Sequence, residues 1–90
     1  MTTRRHCPRR ILLGALIFAP HLPPGFTAEI SRRTGLSHAA YSRAVMDLAC
    51  RHEVTVDRDG DIRRGPNFKR LTPFERVRAS VAYIVARGCS

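Results

Sequence analysis

The tightest constraint on the fold is a spacer of only three residues, Gly35-Leu36-Ser37, between two segments with helical patterning. The first segment spans Ala28 to Thr34, with Thr27 as its predicted N-cap and Gly35 as the residue that ends it. Ser37 is a suitable N-cap for the second, a helix predicted from His38 to about His52. Its core-facing stripe is predicted at Tyr41, Ala44, Val45 and Leu48. Two helices must therefore pack together across a tight turn.

Two further helices are predicted, one on each side of this pair. Residues 9–19 are apolar nearly all round, which is typical of a helix buried on several sides. The stretch His21–Gly25, with two adjacent prolines, is a stiff connector that no helix can cross. Thr72-Pro73-Phe74-Glu75 combines an N-cap, a proline at the first helical position and a capping box, so a helix is predicted from there to Gly88.

A β-hairpin is predicted after the second helix of the pair, where the apolar pattern changes to alternation. A two-residue loop would put Ile62 on the wrong face, so we predict the three-residue loop Arg58-Asp59-Gly60, with its glycine left-handed. This register places Val56 opposite Ile62. It also places Asp57 opposite Asp61, at the cost of a small repulsion.

Charge and length limit the functions that the chain can have. Its 90 residues allow one domain and carry sixteen Lys+Arg against seven Asp+Glu, a formal charge of +9. Fifteen of the sixteen basic residues are Arg, whose planar fork suits phosphates and guanine edges. Codon bias in a GC-rich genome would produce the same ratio. With 43% hydrophobic residues the chain has enough apolar surface for a core, so a disordered polycation is excluded.

The N-terminal segment has two interpretations. Arg4, Arg5, Arg9 and Arg10 precede the apolar run Ile11–Ala19, as in an export signal. No small-residue cleavage site follows, and a run this short does not span a bilayer, which takes roughly 20 residues. We therefore favour a buried helix in a cytoplasmic protein with no membrane association. An exported basic peptide is the alternative.

Catalytic and metal-binding patterns are not found in the sequence. Cys7, Cys50 and Cys89 form no CxxC pair, and the four histidines have no zinc-ligand spacing with them, so free thiols and no metal are expected. No Ser-His-Asp or Cys-His arrangement, phosphate-binding glycine loop or carboxylate pair can be assembled. We expect no enzyme and no cofactor.

Taken together, these elements predict a mainly α chain with a small β-hairpin, a winged helix-turn-helix. The expected organisation is a basic, flexible segment over residues 1–8, the winged helix-turn-helix over 9–71 and a C-terminal helix over 72–88. That last helix is expected to serve in packing or dimerisation.

A family resemblance rests on residues 27–37, Tyr41-Ser42-Arg43, Leu48 and the stretch 59–66, and it covers about residues 11–68. These resemble the N-terminal DNA-binding domain of IclR-family transcription regulators. The chain departs from that family at three places. Members have Ser/Thr where this chain has Ala39-Ala40, an aliphatic core residue at the position of Tyr41, and usually a glycine at the position of Glu53. The resemblance does not extend to the family's effector-binding domain, so we do not expect ligand sensing of that family's kind. MarR-like proteins and small phage or plasmid regulators fit almost as well.

The resulting hypothesis is a small regulator, a repressor by expectation, that reads double-stranded DNA with helix 38–52. Arg43 is the best candidate for bidentate contact with guanine. The full set of predicted base contacts is His38, Ala39, Ser42, Arg43 and Met46. The predicted phosphate contacts are Arg32, Arg33, Ser37, Arg58, Arg63, Arg64, Lys69 and Arg70.

The chain is expected to bind DNA as a homodimer. The predicted dimer contacts are Phe74, Val77, Val81, Ile84 and Val85, which form one apolar stripe of the last helix, with some contribution from the first helix. Asp57, Asp59 and Asp61 surround Arg58 in the hairpin, and acidic groups repel phosphate. The alternative function is therefore a winged-helix protein-interaction module, such as a phage-encoded binder of a host protein.

Overall fold

The structure is a computed structural model that describes residues 6–88. Within that range the chain is mainly helical with a small antiparallel sheet, as predicted. The elements are α1 (Pro8–Phe18), β1 (His21–Leu22), α2 (Phe26–Thr34), α3 (His38–Cys50), β2 (Val54–Val56), β3 (Ile62–Arg64), a 3-10 turn (Phe68–Arg70) and α4 (Pro73–Arg87). The N-terminal segment predicted to be flexible lies mostly outside the described residues, and α1 begins at its last residue.

Helix α1 lies at the centre of the core because its apolar residues surround the helix axis. Six consecutive residues, Ile11–Leu16, are buried, and Ile11, Leu12 and Leu16 are fully inaccessible to solvent. The helix predicted over residues 9–19 is confirmed, with both of its ends one residue earlier. The apolar run that resembles part of an export signal is thus the main contributor to the core.

Helix α4 packs directly on α1 through small residues. Ala79 and Ala86 are the buried residues of α4. A Cβ on Gly14 would overlap the backbone carbonyl of Ala79, so the two helix backbones approach each other as closely as a glycine allows. The pairing of α1 with α4 therefore depends on the missing side chain of Gly14.

The start of α4 follows the predicted capping box. The Thr72 hydroxyl accepts a hydrogen bond from the Glu75 amide at 3.1 Å, and the Glu75 carboxylate accepts one from the Thr72 amide at 3.0 Å. The Thr72 amide and hydroxyl hydrogen bonds hold the pKa of Glu75 below its ordinary value. The cap sets where α4 begins and hence which of its faces meets α1.

The boundaries of the central helix pair are partly as predicted. Gly35 ends α2 in the left-handed conformation (φ 79°), and Ser37 caps α3 by accepting from the Ala40 amide. The prediction of Thr27 as N-cap is wrong, because α2 begins two residues earlier, at Phe26, and Gly25 occupies the cap position. Helix α3 ends at Cys50 instead of about His52.

The sheet has one strand more than the predicted hairpin. Its order is β1-β3-β2, all antiparallel, and it includes the predicted pairing of Val56 with Ile62. Strand β1 replaces the first part of the predicted connector, where Leu22 pairs with Ile62. Two residues are too few to show alternation, so β1 could not be read from the pattern. This strand joins the end of α1 to the hairpin.

Replacing Gly14 by Ala should lower the free energy of unfolding by about 1–3 kcal/mol, because the added methyl group collides with the backbone of α4. Gly25→Ala is the matched control, since no atom lies within 4 Å of a Cβ there and φ is −80°. Thermal or urea unfolding of the two variants measures the difference. Equal stability of both variants would contradict the close α1–α4 contact.

Candidate nucleic-acid interface

Two hydroxyl side chains fix the turn between α2 and α3. Ser31 Oγ donates to the Leu36 carbonyl at 2.5 Å, and Thr34 Oγ1 donates to the Ile30 carbonyl at 2.9 Å. The Tyr41 hydroxyl lies 2.8 Å from Thr34 Oγ1 and acts as the donor, because the Thr34 proton is already used. Tyr41 is fully buried. These bonds hold α3 in one orientation against α2.

The outer face of α3 is open to solvent, as predicted. Met46 is 68% exposed, while Tyr41, Ala44 and Leu48 on the inner face are buried. Val45, predicted in the core stripe, is only half-buried. The residues predicted to contact bases are all exposed, namely His38, Ala39, Ser42, Arg43 and Met46. The structure thus presents this set together on one side of a single helix.

Arg43 is the basic residue in the middle of this face. Its guanidinium has no hydrogen bond or ion pair with any residue between 6 and 88. Asp47, one turn further along α3, is held by Arg9 at 3.1 Å and by Arg51 at 3.7 Å. The carboxylate closest along the helix is therefore already neutralised by other arginines, and the charge of Arg43 stays available for an anion.

The amino end of α3 has two further polar contacts. His38 Nε2 lies 3.2 Å from the hydroxyl of Thr27, which ties α3 to the first turn of α2. Ser37, predicted to contact phosphate, uses its oxygen to accept from the Ala40 amide at 3.1 Å and keeps its proton for a further bond. Both residues are exposed and remain accessible to a ligand.

The structure divides the predicted phosphate contacts into free and engaged cations. Within residues 6–88, the free and exposed ones are Arg32, Arg58, Lys69 and Arg70. Arg33 is engaged, since it pairs with Glu29 at 3.4 Å and donates to the Arg87 carbonyl at 3.0 Å. It therefore joins α2 to the last turn of α4. The free set supplies the cations that can meet a polyanion without breaking an internal contact.

Arg64 has a structural role that the sequence did not reveal. Its Nε donates to the Leu16 carbonyl at 2.7 Å and its Nη2 to the Ile17 carbonyl at 3.4 Å, which satisfies carbonyls at the end of α1. The guanidinium also lies over the Phe68 ring, 5.4 Å from its centroid. The sequence around a basic residue at the end of a strand does not indicate a partner in a distant helix. Only the fold shows that Arg64 contacts the end of α1.

The predicted contacts do not form one cluster. Arg43 lines a shallow groove of about 270 Å³ with Pro8 and Arg9, at the first turn of α1. Lys69 lines a second hollow of about 500 Å³ with Ile17 and Arg64, at the last turn of α1. With 11 residues, α1 separates the two by about 16 Å. The predicted DNA contacts are therefore distributed between the two ends of α1.

The hairpin loop is organised by one aspartate. The Asp57 carboxylate accepts from the amides of Asp59 and Asp61, both at 3.0 Å, and from Arg63 Nε at 3.2 Å. Arg63 also reaches Asp61 at 3.5 Å. Desolvation opposes ionisation of Asp57, but the hydrogen bonds from Arg63, Asp61 and Asp59 outweigh it and lower its pKa. Arg63 thus offsets the repulsion predicted between Asp57 and Asp61.

This arrangement has a consequence for the predicted use of the hairpin. Arg63 is paired with acidic groups, so its charge is compensated inside the loop. Gly60 adopts φ 89°, as predicted for the loop glycine. Val56 is 48% exposed although its partner Ile62 is buried, because Val56 lies on the edge strand β2 and Ile62 on the central strand β3. Arg58 remains as the unpaired cation of the loop.

The apolar stripe predicted as the dimer contact is largely open to solvent, and its Val77, Val81 and Val85 line a hollow beside Arg10 of α1. Phe74, Val77, Val81 and Ile84 are each more than half exposed, and Val85 is half-buried. Helix α1, by contrast, is enclosed by the chain's own core and offers little surface to a second copy.

Comparison with protein-family models, with curated proteins and with solved structures found no match. The resemblance to the IclR-type domain therefore remains a prediction from the residues. Among residues 6–88 no three His, Cys, Asp or Glu side chains come together as metal ligands, and Cys7 and Cys50 are free. Cys89 lies outside the described range. None of the helices in that range has the length and apolar character to cross a membrane.

Arg64→Ala should lower the free energy of unfolding by about 1–2 kcal/mol, because it leaves two carbonyls of α1 without a donor and uncovers Phe68. Arg58→Ala removes the same side chain from the same hairpin at a position with no internal contact, and should leave stability unchanged. Urea unfolding separates the two. A stable Arg64→Ala variant would return Arg64 to the set of free cations.

Proposed function

We propose that the chain is a winged helix-turn-helix, sequence-specific regulator of transcription that binds double-stranded DNA in the cytoplasm. The order α1, β1, α2, α3, β2, β3 supports this architecture, with α3 as recognition helix and β2–β3 as wing. The observation that carries the proposal is the outer face of α3, which is exposed and centred on Arg43, an arginine with no partner among residues 6–88.

The chemistry of that face suits the major groove, which is about 12 Å wide and admits an α-helix. Arg43 can donate two parallel hydrogen bonds to O6 and N7 of a guanine. Ser42 and His38 can reach base edges or phosphates, and the Ala39 and Met46 side chains can contact a thymine methyl group. Such a combination would give sequence preference in addition to charge attraction.

Electrostatics supports DNA as the partner. The chain carries +9, and the unpaired cations Arg32, Arg58, Lys69 and Arg70 are on the surface. Duplex DNA attracts such residues by releasing condensed counterions. The internal ion pairs neutralise acidic residues such as Asp47 and Glu29, so they do not oppose this attraction. These cations would position the protein, while α3 would specify the sequence.

A second candidate is a winged-helix module that binds another protein. The hairpin loop favours it, since Asp57, Asp59 and Asp61 outnumber Arg58, the single arginine of residues 57–61. The exposed Met46 and Cys50 on α3 are also compatible with a protein surface. This candidate requires no affinity for duplex DNA.

Selection from random duplex DNA with the purified protein distinguishes the two candidates. We expect a preferred sequence, and a log–log dependence of affinity on salt with a slope of about −0.9 per phosphate neutralised. Absence of retardation for every duplex at low salt would rule out the DNA proposal and leave the protein-interaction module.

Arg43→Ala should weaken binding to the preferred sequence by about 1–3 kcal/mol, roughly 5- to 150-fold, and relax specificity at one base pair. Arg58→Ala is the control, because it removes an equally exposed arginine at which we expect only phosphate contact. It should weaken all duplexes alike and reduce the salt slope by about 1. Equal behaviour of the two variants would remove Arg43 from the base-reading set.

Asp57→Asn should strengthen binding to all duplexes a few-fold at low salt, because it removes a negative charge and partly releases Arg63 to phosphate. Glu53→Gln makes the same change in net charge at a half-buried position with no ion pair within residues 6–88. Titrations of both variants by fluorescence anisotropy measure the effect. The same gain in both would mean that only net charge matters and that the wing does not approach DNA.

A further inference from the structure

The outer face of α4 is an apolar surface that the chain's own core does not use. We define the α4 seam as Phe74, Val77, Val81 and Ile84, whose side chains are 52–68% exposed. The buried residues of α4 are Ala79, whose backbone meets Gly14 of α1, and Ala86. The large apolar residues of α4 thus point outward while its alanines point inward. The exposed part of these side chains contributes nothing to the stability of a monomer.

The spacing of the seam is the spacing of a helix-packing surface. Its residues follow one another at intervals of three, four and three, which are the a and d positions of a heptad. Residues at this spacing form a straight stripe, about 15 Å long from Phe74 to Ile84. A stripe of this form is complementary to another helix with the same spacing. Its occupant is therefore expected to be helical.

We propose that the occupant is the same helix of a second copy, and that the two copies pair mainly when both are bound to DNA. The first part follows from the symmetry of the seam. In an antiparallel pair centred between Val77 and Val81, each valine lies opposite the other valine of the second copy, and Phe74 lies opposite Ile84. Every seam residue then meets an apolar partner, with Arg78 at the edge of the contact.

The limited area explains why pairing would be weak in free solution. The seam occupies one face of a single 15-residue helix. Such a face buries roughly half of the ~800 Å² per partner that a stable interface of standard size needs. Val85 extends the seam toward α1, where it lines a hollow of about 350 Å³ with Val77 and Val81. The extension adds contact at one edge only.

Electrostatic repulsion also weakens the pairing of two copies in free solution. Arg10 and Arg78 border the seam on the side of that hollow, and the Arg78 guanidinium lies 5.4 Å from the centroid of the Phe74 ring. Two copies with a formal charge of +9 each repel one another in free solution. Duplex DNA neutralises part of this charge and holds the copies side by side, which raises their effective concentration. This part of the proposal rests on the DNA-binding function proposed above.

An acidic amphipathic helix from another protein is the competing occupant, since the basic border would attract it. The dependence of binding on salt distinguishes the second copy from the acidic helix. Screening strengthens the contact between two basic copies and weakens a contact between opposite charges. The same salt weakens DNA binding. Self-association and DNA binding should thus respond to salt in opposite directions.

The test compares the full chain with the double variant Val77→Gln/Val81→Gln. Both positions are exposed, and glutamine is a good helix former, so the fold is retained and is checked by circular dichroism. Val56→Gln is the matched control, as it makes the same change at an exposed valine outside α4. Each protein is titrated onto duplexes that carry one or two copies of the selected site, and sedimentation equilibrium is measured without DNA at low and high salt.

We expect the wild type and the Val56→Gln control to fill two adjacent sites cooperatively, with the second copy binding about tenfold tighter than the first. The double variant should bind a single site within about twofold of wild type and lose the cooperativity. Without DNA, weak self-association of the wild type should increase with salt and be lost in the double variant. The spacing between the two sites is varied over one full turn of DNA. Independent filling of the two sites at every spacing would overturn the proposal.

The outcomes also separate this inference from the proposed function. Binding of single sites without cooperativity would leave DNA recognition intact and reject the pairing through α4. If no duplex is bound, DNA recognition fails and sedimentation decides: salt-promoted association that the double variant loses would support pairing, and a monomer at all salt concentrations would overturn it. Low-salt binding of an acidic amphipathic helical peptide by a chain that does not self-associate would assign the seam to a different partner.

Discussion

The contact between α1 and α4 at Gly14 is the constraint on which the rest of the structure depends. A single missing side chain lets the Ala79 backbone reach α1, and this brings the length of α4 against the most apolar helix of the chain. With α4 on one side, α1 meets α3 and β1 on its others. A chain this short has few other sources of buried area, so its stability is concentrated around one helix.

Ion pairs within the fold give the net charge a definite distribution. Asp47 is held by Arg9 and Arg51, and Asp57 by Arg63 and the loop amides. Several arginines are thereby used internally, as is Arg64 at the end of α1. The charge that remains for a partner is carried by a smaller set, which includes Arg43. A count of basic residues overestimates the surface that meets a polyanion and does not show where it lies.

The sequence was informative where a local rule decides the structure. The Ser37 cap, the left-handed Gly35, the Thr72–Glu75 capping box and the pairing of Val56 with Ile62 each depend on a few neighbouring residues, and all were predicted. What could not be predicted depends on distant partners. Strand β1 exists because β3 offers it an edge, and Arg64 is structural because the end of α1 lies beside it.

The site shows the same division. Helical periodicity identified the exposed face of α3, but the bond from Tyr41 to Thr34 that holds it was missed. A threonine seven residues before a core tyrosine, across a tight turn, is the signal that could have revealed it. Similarly, His52 adopts φ 62° just after α3, one residue before the Glu53 position at which the family resemblance expects a glycine. Neither the hydroxyl pair nor the backbone conformation has a periodic signature.

The two faces of α4 reverse the usual relation between hydrophobicity and mutational tolerance. In most helices of small domains the large apolar residues are the most sensitive to substitution, because they fill the core. Here the sensitive positions are Ala79 and Ala86, which are buried and leave no room for a larger side chain. Val77, Val81 and Ile84 are more than half exposed, so their substitution costs the folded monomer less than that of a core residue. Selection that keeps them apolar would therefore report on what the helix meets outside the chain, not on the stability of the fold.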